Sequence, residues 1–143
     1  MTLFATLLLA HLLGDFPFQT NNIYRMKVQG HKGLALHAAI HVTVTAVLIY
    51  HFWQFWPILL LLGFLHYLTD WAKLRYSGDQ LTPGFLLDQL VHVLILVFIT
   101  LIAPQTMTSQ LPLWFLLPAI ALALIPALLT FAYVWASDLC KAN

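Results

Sequence analysis

The scarcity of charge along long apolar segments is the feature that most constrains this chain. Of its 143 residues, 62% are hydrophobic and only 8% are charged, whereas about 25% of the residues in a soluble domain are charged. A water-facing surface cannot be built from so few charged side chains, so the sequence predicts an integral membrane protein. The net charge of +1 gives no electrostatic reason to expect nucleic acid as a partner.

The residue types that are missing exclude several kinds of site. The chain contains no glutamate, which excludes H-E-x-x-H zinc proteases and Glu-x-x-His di-iron bundles. Its single cysteine, Cys140, excludes an intrachain disulfide and any metal site built from several cysteines. Seven histidines and five aspartates remain as ionisable candidates.

Five apolar segments come close to the roughly 20 residues that a membrane-spanning helix requires. They are residues 2–18, 34–53, 57–72, 85–103 and 113–136. The first is interrupted by polar residues and is not preceded by a basic residue, which is atypical of a signal peptide. Pro118 and Pro126 predict kinks in the fifth. We therefore predict an all-α polytopic transmembrane helix bundle of five spans that forms a single domain over residues 1–143.

All Lys and Arg residues fall on one side of the predicted spans. They lie between spans one and two, between spans three and four, and after span five: Arg25, Lys27, Lys32, Lys73, Arg75 and Lys141. The connections on the opposite side, residues 51–56 and 104–112, contain no Lys, Arg, Asp or Glu. The positive-inside rule then places the N-terminus outside and the C-terminus in the cytoplasm. We interpret the basic residues as topology determinants, with attraction of a phosphate-bearing substrate as the alternative.

Ionisable side chains occur inside the spans as four pairs with a four-residue spacing. The pairs are His11 with Asp15, His37 with His41, His66 with Asp70, and Asp88 with His92. Residues at i and i+4 lie one above the other on a helix, so each pair can direct two ligand-type groups to one point. In the predicted topology all four pairs lie at a similar depth near the cytoplasmic side. Ionisable groups within a membrane are costly and are functional candidates by default.

An internal repeat with an offset of 55 residues relates the two halves of the chain. Adding 55 to His11, Asp15 and His37 gives His66, Asp70 and His92. We predict two tandem, parallel helical-hairpin repeats at residues 1–54 and 56–109, followed by a fifth span at residues 113–136. Each copy adds a different further group, His41 in the first and Asp88 in the second.

Three interpretations of the pairs are open from the sequence. Histidine and aspartate could bind zinc, iron or manganese, or the pairs could be interhelical hydrogen bonds that hold the bundle together. In the third interpretation the repeat-equivalent His37 and His92 are axial ligands of haem, which leaves the aspartates without a role. Metal binding accounts for the largest number of these groups. The number of paired histidines and aspartates fits either two metals, or one metal whose ligands are oriented by hydrogen bonds from the remaining residues.

The string His11-Leu-Leu-Gly14-Asp15-Phe-x-x-Gln19, followed by a basic loop and His37, resembles a family of small bacterial polytopic membrane proteins classed only as a domain of unknown function. The resemblance covers residues 3–102 and implies a multi-pass protein of the bacterial inner membrane. More loosely, the His-rich core is similar to inner-membrane proteins described as metal-dependent hydrolases. It is also similar to intramembrane zinc amide hydrolases, which use a His-x-x-x-His pair plus an Asp. The chain has such a pair, His37 with His41, but lacks the Ser-x-x-x-His partner of the amide hydrolases.

The leading hypothesis is a metal-dependent hydrolase whose site opens toward the cytoplasm and accepts a lipid-like or amphipathic substrate. The predicted ligands of one or two divalent metals, zinc first with iron or manganese as alternatives, are His11, Asp15, His37, His66, Asp70 and His92. A water activated by the metal is the expected nucleophile, with Asp88 or His41 as general base or orienting residue. The expected substrate contacts are Gln19, Asn22 and Lys73.

Two other classes of function are open as well. A cation or proton transporter, or a channel subunit, suits parallel repeats with ionisable groups at their interface. A non-catalytic membrane partner would use the pairs as interhelical hydrogen bonds only. The lipid bilayer is the expected partner, and a homo-oligomer is left open. Asp79 and Asp138 are interpreted as solvated surface residues.

Overall fold

The computed structural model describes residues 1–76 and 81–142, which form a bundle of helices. These are α1 (Thr2–Asp15), α2 (Asn21–Gln29), α3 (His31–Leu48), α4 (Trp56–Tyr76), α5 (Leu81–Ile102) and α6 (Leu113–Ala142), with a short 3-10 helix at Phe52–Gln54. The described residues contain no β-strand, only an isolated antiparallel bridge between Ile49 and Ser109. The all-α prediction is therefore confirmed. The surface position predicted for Asp79 lies outside the described residues.

Helix α1 is the centre of the bundle. Nine of its 14 residues are buried, and it packs against α3, α5 and α6, while α4 contacts both α3 and α5. Its apolar side chains belong to two core clusters, one with Leu7 and Leu96 and the other with Leu9 and Leu116. Because neighbours surround α1, the helix has no polar face, which explains why its apolar residues follow no amphipathic period.

Two helices are long and apolar enough to cross a membrane, namely α5 and the part of α6 that covers Leu113–Lys141. Only 22% and 11% of their apolar stretches, respectively, are buried within the molecule. The core helix of a soluble protein would be mostly buried, whereas these helices expose large leucine, isoleucine and phenylalanine side chains. The exposed apolar surface supports association with a membrane.

Helix α2 lies in the segment for which the sequence predicts a basic loop, so that prediction is wrong for residues 21–29. The Thr20 side chain accepts a hydrogen bond from the Ile23 amide at the start of α2. Gly30 ends the helix with a φ of 153°, which other residues rarely adopt. A Cβ added at Gly33 of α3 would collide with the Met26 carbonyl group of α2. The two glycines thus hold α2 against the beginning of α3.

The C-terminal part of α6 caps the first turn of α5. The Asp138 carboxylate accepts hydrogen bonds from the backbone N–H groups of Leu81 (2.9 Å) and Thr82 (2.6 Å), two of the donors that a helix leaves unpaired at its start. The hydrogen bond from Leu81, followed by those from Thr82, lowers the pKa of Asp138 from its ordinary value of 3.8. Asp138 therefore does more than the solvated surface residue predicted from the sequence.

Candidate metal centre

The four predicted pairs meet at one end of the bundle, where α1 and α4 end and α3 and α5 begin. Five imidazoles form one cluster there, with ring centroids of contacting pairs between 3.6 and 5.9 Å apart. The five are His11, His37, His41, His66 and His92. Each is at most 3% exposed. Asp15 and Asp70 lie among them, so the structure brings seven of the predicted site residues together in the protein interior.

Asp15 lies at the centre of this cluster. Its Oδ1 atom is 3.1 Å from Nε2 of His37 and 3.0 Å from Nε2 of His41, and Nε2 of His66 approaches the same oxygen to 3.7 Å. The second oxygen, Oδ2, faces Nε2 of His11 at 3.7 Å. One carboxylate thus meets imidazole nitrogens supplied by α1, α3 and α4.

Gly14 explains the His-x-x-Gly-Asp spacing in α1. A Cβ at Gly14 would lie 2.6 Å from Nε2 and 2.7 Å from Nδ1 of His41, well inside the separation of about 3.5 Å at which carbon contacts become favourable. The absence of a side chain allows the His41 ring to pack directly on the α1 backbone. This close approach lets His41 reach the carboxylate of Asp15, the residue next to the glycine.

Asp70 forms a buried ion pair with Lys27, a residue interpreted from the sequence as a topology determinant, with attraction of a phosphate-bearing substrate as the alternative. Lys27 reaches inward from α2, and its Nζ lies 2.7 Å from Oδ1 of Asp70 and 3.2 Å from Oε1 of Gln19. It is only 7% exposed. The other oxygen of Asp70, Oδ2, lies 3.3 Å from Nε2 of His66 and 3.5 Å from Nε2 of His37. Asp70 therefore links a lysine ammonium to the histidine cluster.

Gln89 is a second site residue that the sequence reasoning missed. Its Nε2 donates hydrogen bonds to Oδ2 of Asp15 (3.2 Å) and Oδ2 of Asp88 (3.3 Å), and its Oε1 lies 3.3 Å from Nε2 of His11. The signal that could have identified it is a glutamine within an apolar span, directly beside an ionisable residue. Its amide fixes the side of Asp15 that faces away from His37 and His41.

Asp88 and His92 lie at the edge of the cluster next to Lys73. Oδ2 of Asp88 is 2.7 Å from Nζ of Lys73, and its Oδ1 is 3.5 Å from Nδ1 of His92. The Nδ1–H of His92 donates a hydrogen bond to the backbone carbonyl oxygen of Asp88 at 2.8 Å. Of the two predicted roles of Asp88, general base or orienting residue, this arrangement favours the second, since the carboxylate is already paired with a lysine.

The remaining predicted substrate contacts, Gln19 and Asn22, occupy different surroundings. Gln19 is half-buried, and its Nε2 donates to the backbone carbonyl oxygen of Asp15 at 3.1 Å while its Oε1 accepts from Lys27. It therefore stands between the cluster and α2. Asn22 lies exposed on the first turn of α2, at the surface of the protein and outside the cluster.

Three overlapping groups of the clustered side chains have ligand atoms within 4.8 Å of one another. The groups are Asp15, His37, His41 and His66; His11, Asp15 and His92; and His66, Asp70 and His92. All their members are buried, and imidazole nitrogens with carboxylate oxygens are ligands of zinc, iron and manganese. The cluster could therefore hold a metal ion.

Comparison with known proteins identifies a family. No curated protein and no solved structure matches the chain. Residues 3–137 match the family described as a protein of unknown function, DUF3307. The match confirms the resemblance found in the sequence and extends past residue 102 to include the fifth apolar segment. Because the match covers nearly the whole chain and every residue of the histidine cluster, the chain belongs to the DUF3307 family.

Proposed function

We propose that the protein is a metal-dependent hydrolase of the bacterial inner membrane with its site near the cytoplasmic face. The observation that carries the proposal is the approach of three imidazole Nε2 atoms to one oxygen of Asp15. A carboxylate oxygen has about two lone-pair positions for hydrogen bonds. Three nitrogens around it, with further histidines alongside, exceed what hydrogen bonding between helices requires, whereas they suit the shared coordination of a metal.

Asp15 and the two histidines nearest to its Oδ1 atom, His37 and His41, form a set of metal ligands that we call the Asp15 set. A catalytic zinc site uses three protein ligands and keeps a further position open. A divalent metal held there would lower the pKa of a water toward about 7 and would polarise a carbonyl or phosphoryl oxygen. We propose zinc, with iron or manganese as alternatives that the same ligand types accept.

His11 is placed to accept a proton beside the Asp15 set. Its Nε2 lies 3.7 Å from Oδ2 of Asp15 and 3.3 Å from Oε1 of Gln89, so the Nε2–H group is directed at two acceptor oxygens that orient the ring. The ring atom that would accept a proton is Nδ1, which has no hydrogen-bond partner among the described residues. His41, one of the bases considered from the sequence, lies at 3.0 Å from Asp15 inside the ligand set. Asp88 is paired with Lys73. We therefore assign proton transfer to His11 and orientation of the site to Asp88.

The proposal includes five membrane spans, with the N-terminus outside and the C-terminus in the cytoplasm. Helices α3 and α4 have 18 and 21 residues, or about 27 and 32 Å at the helical rise, against a hydrocarbon core of about 30 Å. His37, His41, His66 and Asp70 face inward, and the outer surfaces of both helices carry exposed apolar residues such as Val47, Leu60 and Phe64. Helix α1 is shorter but lies enclosed by its neighbours.

Packing beyond the site favours an enzyme over a transporter. One helical turn from His11 and His66, away from the cytoplasmic end of the bundle, the interior is filled by an apolar cluster. Its buried members are Leu7, Leu62, Leu96 and Ile99, each at most 5% exposed. A path for a cation or proton requires polar groups along its length. The buried threonines of this region, Thr6 and Thr45, donate their hydroxyl groups to the backbone carbonyl oxygens of Thr2 and His41. The apolar cluster therefore supports chemistry that is reached from one side.

A lipid-like or amphipathic substrate suits the surroundings of the cluster. Helix α2 exposes Tyr24, Met26 and Val28 by 43 to 53%, which gives an apolar surface next to the cytoplasmic end of the bundle. An acyl chain could lie against this surface while its polar linkage reaches the histidines. Gln19 contacts Lys27 of α2, and Lys73 pairs with Asp88. We propose both as contacts for the polar part of the substrate, with Asn22 farther out on α2.

Two measurements on full-length protein purified in detergent without chelator test the proposal. Elemental analysis is expected to find stoichiometric zinc, iron or manganese in the wild type and little in Asp15→Asn, which keeps the side-chain size but removes the charge. Hydrolysis is then tested on a panel of long-chain p-nitrophenyl esters, fatty amides and fluorescent phospholipids. We expect activity that a chelator abolishes and that Asp15→Asn lacks.

Asp138→Asn is the matched control, because the hydrogen bonds of this carboxylate go to the backbone of Leu81 and Thr82 and not to the cluster, so the change should leave metal content and hydrolysis unchanged. A wild-type protein without stoichiometric metal would contradict the proposal and favour interhelical hydrogen bonding as the role of the pairs. Metal-independent hydrolysis, equal in the wild type and Asp15→Asn, would contradict the assigned mechanism.

A further inference from the structure

We infer that the cluster holds two divalent metal ions, the second bound by a group that we call the Asp70 set: His66, Asp70 and His92. The inference rests on the proposed function, since the first ion is the one assigned to the Asp15 set. The two sets share no residue, and each contains two histidines and one aspartate. Helices α1 and α3 supply the first set, and α4 and α5 supply the second. These six residues thus form two separate sets of three metal ligands, and His11 remains available for proton transfer.

The internal repeat divides the ligands between the two halves of the chain in a related way, although its first copy contains His11 in place of His41 of the Asp15 set. Subtracting 55 from the members of the Asp70 set gives His11, Asp15 and His37. A duplicated helical hairpin therefore supplies two histidines and an aspartate twice, once from each half of the chain. A single ion needs only three or four protein ligands and would leave one of these copies without a role.

His92 has a ring nitrogen that is available to a metal. Its Nδ1–H is occupied by the backbone carbonyl oxygen of Asp88 at 2.8 Å, so Nε2 of the neutral imidazole carries a lone pair. The residue is 2% exposed, and within residues 1–76 and 81–142 no hydrogen-bond partner faces this Nε2 atom. Buried polar atoms are rarely left without a partner. Metal-ligating histidines commonly donate one N–H to a backbone carbonyl in this way.

The contacts between the two sets favour one dinuclear centre. Nε2 of His37, from the Asp15 set, lies 3.5 Å from Oδ2 of Asp70, and Oδ1 of Asp15 lies 3.7 Å from Nε2 of His66. In two-metal hydrolytic sites the ions are about 3.5–4 Å apart. Ligand sets in direct contact are compatible with that separation, and two ions together can activate water and stabilise the developing negative charge.

The ammonium group of Lys27 is bound to Asp70, where the second metal ion would bind. Its Nζ lies 2.7 Å from Oδ1 of Asp70, so a metal ligated by Asp70 must compete with the ammonium group for the same carboxylate. Lys27 is carried by α2, which the turn at Gly30 joins to α3. We expect the second ion to bind more weakly than the first and to displace Lys27 from Asp70.

Titration of chelator-treated, full-length protein in detergent with Zn²⁺, followed by calorimetry and by elemental analysis after desalting, tests the inference. The wild type should bind two equivalents, and His92→Ala should bind one. Lys27→Met should keep both equivalents and bind the second about 10-fold more tightly, because the competing charged group is gone. Lys32→Met is the matched control, since Lys32 is exposed, and it should leave both affinities unchanged.

The outcomes separate this inference from the proposed function. One equivalent in the wild type overturns the second site and leaves the single-metal hydrolase intact, whereas no bound zinc overturns both. Two equivalents with an unchanged second affinity in Lys27→Met overturn the placement of that ion at Asp70. If His92→Ala does not fold, loading the wild type with Mn²⁺ serves instead. An exchange-coupled electron paramagnetic resonance spectrum supports a dinuclear centre, and the spectrum of isolated Mn²⁺ contradicts it.

Discussion

Substitution of Gly14 by alanine should weaken metal binding without removing any ligand. The added Cβ would lie 2.6 to 2.7 Å from the two ring nitrogens of His41, so the ring must retreat by about 1 Å to reach a normal separation of about 3.5 Å. Metal ligands tolerate displacements of only about 0.2 Å. Removing a hydrogen-bond partner that orients a metal ligand lowers metal affinity by about 10- to 100-fold on its own. We therefore expect Gly14→Ala to bind zinc about 100-fold more weakly, or about 2.8 kcal/mol.

Calorimetric titration with Zn²⁺ measures the zinc affinity of the variant, and thermal unfolding of the metal-free protein measures its stability. Alanine favours helix over glycine by about 1 kcal/mol, and this gain offsets part of the cost of the overlap in metal-free Gly14→Ala. Gly63→Ala is the matched control, because its Cβ would lie 2.5 Å from Cγ2 of Val42, an apolar contact between α4 and α3. Gly63→Ala should lower thermal stability and leave zinc affinity unchanged. Wild-type zinc affinity in Gly14→Ala would refute the reasoning.

Three further predictions concern the support of the centre by Gln89, the cap on α5 and the membrane topology. Gln89→Leu removes the amide that contacts Asp15 and His11, and we expect zinc affinity in the same titration to fall about 10- to 100-fold; an unchanged affinity would show that Gln89 does not support the site. The hydrogen bonds to Asp138 hold its pKa below 3.8, so its contribution to stability is present above that pH and is lost as the pH falls through the lowered value. Hydrogen exchange at the start of α5 should therefore be faster in Asp138→Asn than in the wild type at pH 7, and the difference should shrink in acid; a difference that grows in acid contradicts the assignment. The exposed thiol of Cys140 should react with a membrane-impermeant maleimide in inside-out vesicles and not in intact spheroplasts, and the reverse result would overturn the topology.

The arrangement within each pair and the common depth of the four pairs could be predicted, whereas their convergence on one point depends on how the helices pack. A four-residue spacing places His66 and Asp70 on one helical face whatever the helix packs against, and the distribution of basic residues orders the spans. The distances at Asp15 depend on side-chain packing between helices, and no pattern in the sequence specifies that packing. Gly14 illustrates the difference, because the motif that contains it is visible in the sequence while its contact with the His41 ring is not.

Helix α2 could not be predicted with the same ease, because its stability comes from tertiary contacts. An isolated helix of nine residues is marginal in water, and this one is held by the close packing of Gly33 against it. Thr20 and Gly30 are start and stop signals that mark the segment, but they do not show that Lys27 points into the bundle. The buried Lys27–Asp70 pair therefore emerges only from the fold.

X-ray absorption at the zinc edge of the zinc-loaded protein tests the central claim most directly, because it identifies the atoms around the metal. The account predicts a nitrogen and oxygen shell at about 2.0–2.2 Å with the multiple-scattering pattern of imidazole, and the loss of that pattern in Asp15→Asn. A shell of oxygen atoms without imidazole scattering, or a spectrum that Asp15→Asn leaves unchanged, would contradict the assignment of the buried histidine cluster as a metal centre.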